Sequence, residues 1–208
     1  MPIDRRGLAQ MLRDENESLK ARIQQISIRL TRHQQAFRAL NQMDDTMSGL
    51  YAKFDLKKLL NKLLSLALHA CDSESGSLIL VDDESGELVF ADVLGEAREQ
   101  LRNHRISSDT GIVGNVVMTK IPVLVPDVQK SVQWSSEIDQ VVGFKTRALM
   151  CAPLYNDDKT YGAIEVVNNN SNDLFDENDL AILRVTARYV SQALQKAEDM
   201  TLLGVNQT

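Results

Sequence analysis

Five blocks decide how this chain folds: T-G-I-V-G-N-V-V at residues 110–117, I-P-V-L-V-P-D-V at 121–128, G-F-K-T-R-A-L-M-C-A-P-L at 143–154, Y-G-A-I-E-V-V-N-N at 161–169 and F-D-E-N-D-L at 175–180. In the first, Thr110 and Gly111 open a short apolar helix over residues 112–119. In the second, Pro122 and Pro126 remove backbone donors, which excludes a central strand with a complete hydrogen-bond ladder. The third and fourth read as strands over 148–155 and 160–167, joined at Asn156, Asp157, Asp158 and Lys159. The fifth starts a helix: Asp176 is a candidate N-cap, and Asp179 puts a carboxylate in the first turn, where the helix dipole favours it. An apolar stripe of Leu180, Leu183, Thr186, Ala187, Val190 and Leu194 carries that helix to about residue 200.

Upstream, Leu56, Leu59, Leu60, Leu63, Leu64, Ala67 and Leu68 form the broad apolar face of a helix over residues 55–71, with Asp55 as N-cap. Residues 77–81 and 87–93 alternate as strands around the polar turn Asp82-Asp83-Glu84-Ser85-Gly86, a hairpin pattern. A third strand is expected over 101–107, and residues 127–142 read as polar and irregular with one aromatic, Trp134. This order implies an α+β fold. The expectation is an antiparallel sheet of about six strands, with helices on one face and a loop-rich pocket on the other, preceded by a long N-terminal helix.

That first helix carries a heptad. With Ala9, Asn16, Ile23, Leu30 and Phe37 at a, the d positions are Leu12, Leu19, Ile26, His33 and Leu40, about five heptads of coiled-coil pattern. Asn16 at a, and Glu15 at g with Lys20 at e, suit a parallel two-stranded coil. A single amphipathic helix lying on its own domain is the alternative. The pattern loosens around residues 43–52, where a bend is expected near 44–49. The domain reading is therefore an N-terminal coiled-coil helix over 1–50, an α+β domain over 51–200 and a C-terminal tail over 201–208.

Composition sets the outer bounds. The chain has 208 residues, 43% hydrophobic and 25% charged, in the range of globular proteins and not of disordered ones. A net charge of −6 opposes nucleic-acid binding, which needs clustered cations against phosphates. No apolar run reaches the roughly 18–20 residues of a membrane span, and the first residues lack the apolar core of a signal peptide. Cys71 and Cys151 have neither disulfide nor zinc spacing, and His69 and His104 read as surface or helix-end residues. A cytoplasmic protein without metal or cofactor is expected.

In their order and at their distances, the five blocks resemble a GAF domain, the small-molecule sensing module found beside the catalytic parts of signalling proteins. Within that family they resemble the regulatory domains of cyclic-nucleotide phosphodiesterases, over about residues 55–198. The resemblance implies an Asn-Lys, Phe, Asp-Glu motif, matched here by Asn168, Phe175 and Asp179. Asn169 stands at the Lys position and Leu180 at the Glu position, so the family's ion pair cannot form. Phe175 and Asp179 also have a structural reading, as packing and capping residues of the last helix.

The resemblance further implies ligand contacts at Ser77, Phe90 as a base-stacking ring, the amides of Ile112 and Val113 at a helix N-terminus, Asp139, Thr146 and Glu165, with Trp134 at the pocket edge. Ser135 and Val142 depart from the aromatic and threonine frequent at those positions, and the acidic residue after the stacking ring is displaced to Asp92. A purine cyclic nucleotide, another small anion or metabolite, and no ligand at all remain open. No P-loop, HExxH, GxSxG or catalytic triad is present, and the several pocket cysteines of the methionine sulfoxide reductase type are missing. The expected function is non-enzymatic: a sensor that binds a small molecule and acts on a separate effector through a homodimer formed by residues 8–50. The alternative is a ligand-free dimerisation scaffold.

Overall fold

A computed structural model of the chain describes residues 5–49, 54–109, 111–170 and 174–202. Thr110, the junction at 50–53 and residues 203–208 of the expected tail lie outside the described residues. The chain divides into two compact units, Met1–Gln35 and Ala36–Thr208.

The first unit holds the N-terminal part of helix α1 (Arg5–Ser48). Its seam residues Leu12, Leu19, Ile23, Ile26 and Leu30 are all exposed. An apolar stripe of this length left in water is a surface that association would bury.

In the second unit the last turns of α1 belong to the domain. Ala36, Ala39 and Met43 are buried there, and the Thr186 hydroxyl donates to the Met43 sulfur at 3.5 Å. Leu40, a d position, packs against the same core, whereas Phe37 stays exposed. The expected bend at 44–49 is absent up to Ser48: the segment stays helical and turns at Gly49. The helix survives there because Met43 and the Tyr189–Asp44 hydrogen bond (3.3 Å) anchor it to the domain.

Helix α2 (Leu56–Ala70) begins at the expected cap, with the Asp55 side chain accepting from the Lys58 amide. It buries Leu59, Leu60, Leu63, Leu64, Ala67 and Leu68 on one face. Strands β1 (Ser73–Val81) and β2 (Leu88–Leu94) form the hairpin, followed by a helical turn α3 (Arg98–Leu101), β3 (Arg105–Ile106) and α4 (Gly111–Thr119). The strand expected over 101–107 is thus cut to two residues, because Asn103 adopts a left-handed conformation (φ 63°) that breaks extension before it. Then come β4 (Val123–Val125), a short 3-10 turn (Val128–Lys130), α5 (Glu137–Val142), β5 (Leu149–Tyr155), β6 (Thr160–Asn169) and α6 (Glu177–Leu202).

The sheet has six antiparallel strands in the order β3-β2-β1-β6-β5-β4. The proline-flanked β4 takes an edge, where missing backbone donors do least harm. The central pair joins β1 to β6, some 90 residues apart in sequence (Ser77 opposite Glu165).

Both faces are covered, which explains the unbroken apolar run of β5. Met150, Ala152, Leu154, Ile164 and Val166 face α2, α6 and the end of α1. Leu149, Cys151, Ala163 and Val167 face α4, α5 and the loops. Each fully buried leucine in these cores contributes about 1.5–3 kcal/mol, so the domain's stability rests on this two-layer burial.

Candidate functional site

The sheet face away from α2 and α6 carries a cavity of about 410 Å³, within the range of small-molecule sites. Its floor is built from β1, β2 and β6. The first turn of α4 forms one wall, the 131–146 connection with α5 another, and the β2–β3 connection the third. Ser77, Phe90, Ile112, Val113, Trp134, Asp139, Thr146 and Glu165, separated by as much as 88 residues in the chain, all line it.

A bulge sets the chemistry of one wall. The β1–β2 register shifts between Leu78 and Ile79, so Leu78 opposes Asp92 while Ile79 opposes Phe90. The extra residue lets both Phe90 and Val93 line the cavity. Asp92 is turned to the helix side, where it accepts from Asn61 Nδ2 at 2.9 Å. The displaced acidic residue is therefore no cavity group.

α4 is set by Gly114. A Cβ there would stand 2.5 Å from the Ser108 carbonyl oxygen, so only glycine lets the 107–109 loop lie against the helix. The opening turn, with the amides of Ile112 and Val113, is thereby held at the cavity wall. First-turn amides have no acceptor within their own helix, and they favour an anion.

Asp139 and Thr146 hold one another. The Thr146 amide and hydroxyl donate to the two Asp139 oxygens at 2.7 and 2.8 Å. Both line the cavity as expected of ligand contacts, and their mutual bond also pins α5 across it. Replacing Asp139 with alanine is expected to strip a buried threonine of its acceptors, costing about 1–3 kcal/mol, and to loosen the α5 wall. Urea unfolding would register the loss of stability. Fluorescence of Trp134, the single tryptophan, would register the wall, and Asp139→Asn should lose less on both measures.

Glu165 is different. It lies half-buried on the cavity floor and accepts from the Ser77 hydroxyl at 3.3 Å, a long bond. Burial pushes its carboxyl up to about 7; the Ser77 hydrogen bond opposes this, and the nearby Asp139 charge adds to it. Cys151, its partner across β5–β6, is buried, and desolvation followed by the Glu165 charge holds its thiol well above the ordinary range. That agrees with a small buried hydrophobe and not with a reactive thiolate.

Several lining residues were missed. His104, expected at the surface, lines the cavity with its ring 6.3 Å from that of Phe90. Ile138, also missed, stands between Trp134 and the already noted Val142 at four-residue spacing. That helical signal was available within a stretch read as irregular, where α5 forms. Arg105 lines the cavity, but its guanidinium is bound by Asp82 at 2.6 Å and Glu87 at 3.0 Å on the hairpin turn.

The motif residues lie elsewhere. Asn168 (φ 52°) accepts from the Arg147 amide and donates to the Lys145 carbonyl, tying down the chain beside Thr146. Phe175 is buried in the helix-side core, and Asp179 accepts from the Asp176 amide at the start of α6. Asn169 donates to the Cys71 carbonyl at 3.3 Å. None of the four lines the cavity. Among the described residues no group of three potential metal ligands converges, and no helix is long and apolar enough to cross a membrane.

A family model described as GAF domain matches residues 55–195, the span from the α2 cap into α6. The dual 3',5'-cyclic-AMP and -GMP phosphodiesterase 11A of Takifugu rubripes is 29% identical over 154 residues, which is 69% of this chain but 17% of that protein. The fold is similar to that of the GAF domain from a phosphoenolpyruvate-protein phosphotransferase of Coxiella burnetii (TM-score 0.70, 16% identity, 82% of this chain and 98% of that one). It is also similar to that of the free methionine-R-sulfoxide reductase of Neisseria meningitidis (TM-score 0.65, 21% identity, 79% and 90%). With the sheet, the cavity and the sequence match in agreement, the chain belongs to the GAF domain family, whose members are regulatory modules that bind small molecules.

Proposed function

We propose that this chain is a non-catalytic sensor that holds a purine cyclic nucleotide in the cavity and passes its occupancy, through a parallel homodimer built on α1, to a separate cytoplasmic effector. The observation that carries the reading is the convergence of Ser77, Phe90, Ile112, Val113 and Glu165 on one cavity. Such a ligand needs three things: an aromatic face for the base, polar groups at the base edge, and amides for the phosphate. Phe90, Glu165 with Ser77, and the first turn of α4 supply them in that order. The phosphodiesterase relative, named for both cyclic nucleotides, supports the same choice. Two buried free cysteines fit a reducing compartment.

Transmission has a physical route. The β5–β6 hairpin, whose second strand is part of the cavity floor, is bolted to α6: the Tyr155 amide donates to Ser191 Oγ at 3.0 Å, and Lys159 in the connecting turn pairs with Glu198 at 2.6 Å. Thr186 and Tyr189 of α6 in turn hold the end of α1. A ligand moves such an equilibrium only by its differential affinity for two arrangements, typically 1–3 kcal/mol.

Titration calorimetry with cyclic GMP and cyclic AMP tests the ligand; saturable binding with Kd on the order of 1 μM is expected. No heat at millimolar nucleotide would overturn the ligand assignment and favour the scaffold. Sedimentation equilibrium should give twice the 23.3 kDa monomer mass. Ile26 is exposed in the single chain, so Ile26→Asp should yield a folded monomer, and a monomeric parent protein would refute the dimer.

A further inference from the structure

Glu165, on the cavity floor, has capacity left for a ligand. The Asp139 oxygens are engaged by Thr146, and the Arg105 guanidinium by Asp82 and Glu87. The protein donor that reaches Glu165 among the described residues is the Ser77 hydroxyl, at 3.3 Å from Oε2. A carboxyl group in this setting has two useful states. Ionised, it is acceptor-only at both oxygens; protonated, it offers one acceptor and one O–H donor side by side.

We propose that Glu165 reads the edge of the bound base with its own proton, taking a guanine-type edge as carboxylate and an adenine-type edge as carboxylic acid, so that the cavity's choice between cyclic GMP and cyclic AMP shifts with pH. The inference rests on the reading that the cavity holds a purine cyclic nucleotide. Guanine presents two adjacent N–H donors, which match the two oxygens of a carboxylate in a charge-assisted pair. Adenine presents one N–H donor beside one ring-nitrogen acceptor, which match the carbonyl and O–H of the acid.

The surroundings leave Glu165 to change state near neutrality. Burial pushes its carboxyl up to about 7. From β1 it faces Ser77; from β5, Cys151, whose thiol stays protonated; and from α5, Asp139, with Glu137 also on that wall. His104 and Arg105 line the same cavity. Because His104 is an imidazole in the same cavity, a pH effect alone does not identify the group. Glu165→Gln does: it keeps the size, removes the titration and leaves His104 in place.

The test is calorimetry of the full chain with each nucleotide at about pH 6 and about pH 8. Across that range the ionised fraction of a group at about 7 rises from about one-tenth to about nine-tenths. Apparent affinity scales with the competent fraction. Cyclic GMP should therefore tighten about ten-fold and cyclic AMP weaken about ten-fold, reversing or widening their ratio about a hundred-fold. In Glu165→Gln, whose amide mimics the acid, both slopes should flatten, with cyclic AMP held near its low-pH affinity and cyclic GMP weak throughout. Slopes of the same sign, a flat or wrong-signed slope for a nucleotide that binds, or slopes that persist in Glu165→Gln would overturn the proposal while leaving the cyclic-nucleotide reading intact. Binding of neither nucleotide at either pH would overturn that reading, and this one with it.

Discussion

Gly162→Ala is expected to be the most damaging single-methyl change in the domain. Gly162 lies in β6 at φ 149°, a conformation that side chains rarely adopt, between Leu80 of β1 and Leu154 of β5. A Cβ there would collide with the Ile79 carbonyl oxygen and stand 2.8 Å from the Leu80 Cα. The obstacles are backbone atoms of the central strand pair, so no side chain can swing aside. Strain of this kind costs about 1–3 kcal/mol and overpacking about 1–3 more. The sum, about 2–6 kcal/mol, is a large share of a typical domain's stability of 5–15 kcal/mol. Urea unfolding followed by far-UV circular dichroism should show the midpoint fall without a change in slope. A loss under about 1 kcal/mol would mean that β1 and β6 can part at this point at little expense.

The second large effect is a dependence of stability on pH that runs opposite to ordinary acid denaturation. In the folded chain Glu165 binds its proton more tightly than in the unfolded chain, its carboxyl standing at about 7 against the ordinary 4.5. Folding therefore gains most from this group below about 4.5. The gain shrinks as pH rises and is gone above about 7. The full interval corresponds to at most about 3 kcal/mol. Because Glu165 is half-buried and faces the cavity, water there should reduce the effect to about 1–3 kcal/mol.

Asp82, held down to about 2 by the Ser85 amide, Arg105 and the Glu84 amide, acts in the other direction and at lower pH, where its protonation removes stability. The two therefore separate. Comparing Glu165→Gln with the parent by urea unfolding at about pH 5 and about pH 8 isolates the buried group. The variant should gain on the parent at the higher pH and match it more closely at the lower. A constant difference between them at both pH values would show that Glu165 does not change its protonation on folding.

Much of the fold follows from local pattern. The apolar faces of α2 and α6 repeat at helical spacing, and their caps Asp55 and Asp176 accept from amides two or three residues ahead. Those interactions are short-range, so the order of residues contains them. Pro122 and Pro126 likewise consign β4 to an edge without reference to anything distant. Residues 127–142 show the limit of pattern reading: Trp134, Ile138 and Val142 recur at helical spacing, yet the polar residues between them hid the short helix.

The cavity was legible through family likeness, because its lining positions are tied to recognisable blocks. The same likeness could not say which way each polar group would turn. Asp92 leaves the cavity because one extra residue bulges β2 against β1 and brings it to Asn61, 31 residues away. Asp139 is engaged by Thr146, Arg105 by the hairpin turn, and His104 faces inward beside Phe90. What the order of residues determined by itself is where helices, strands and edges fall, since those depend on neighbours a few positions apart. What only the tertiary structure decided is that Glu165 lies on the cavity floor with one long hydrogen bond while Asp92 and Asp139 are engaged by other residues, because burial and hydrogen-bond competition are settled among groups that the chain brings together from up to 88 residues apart.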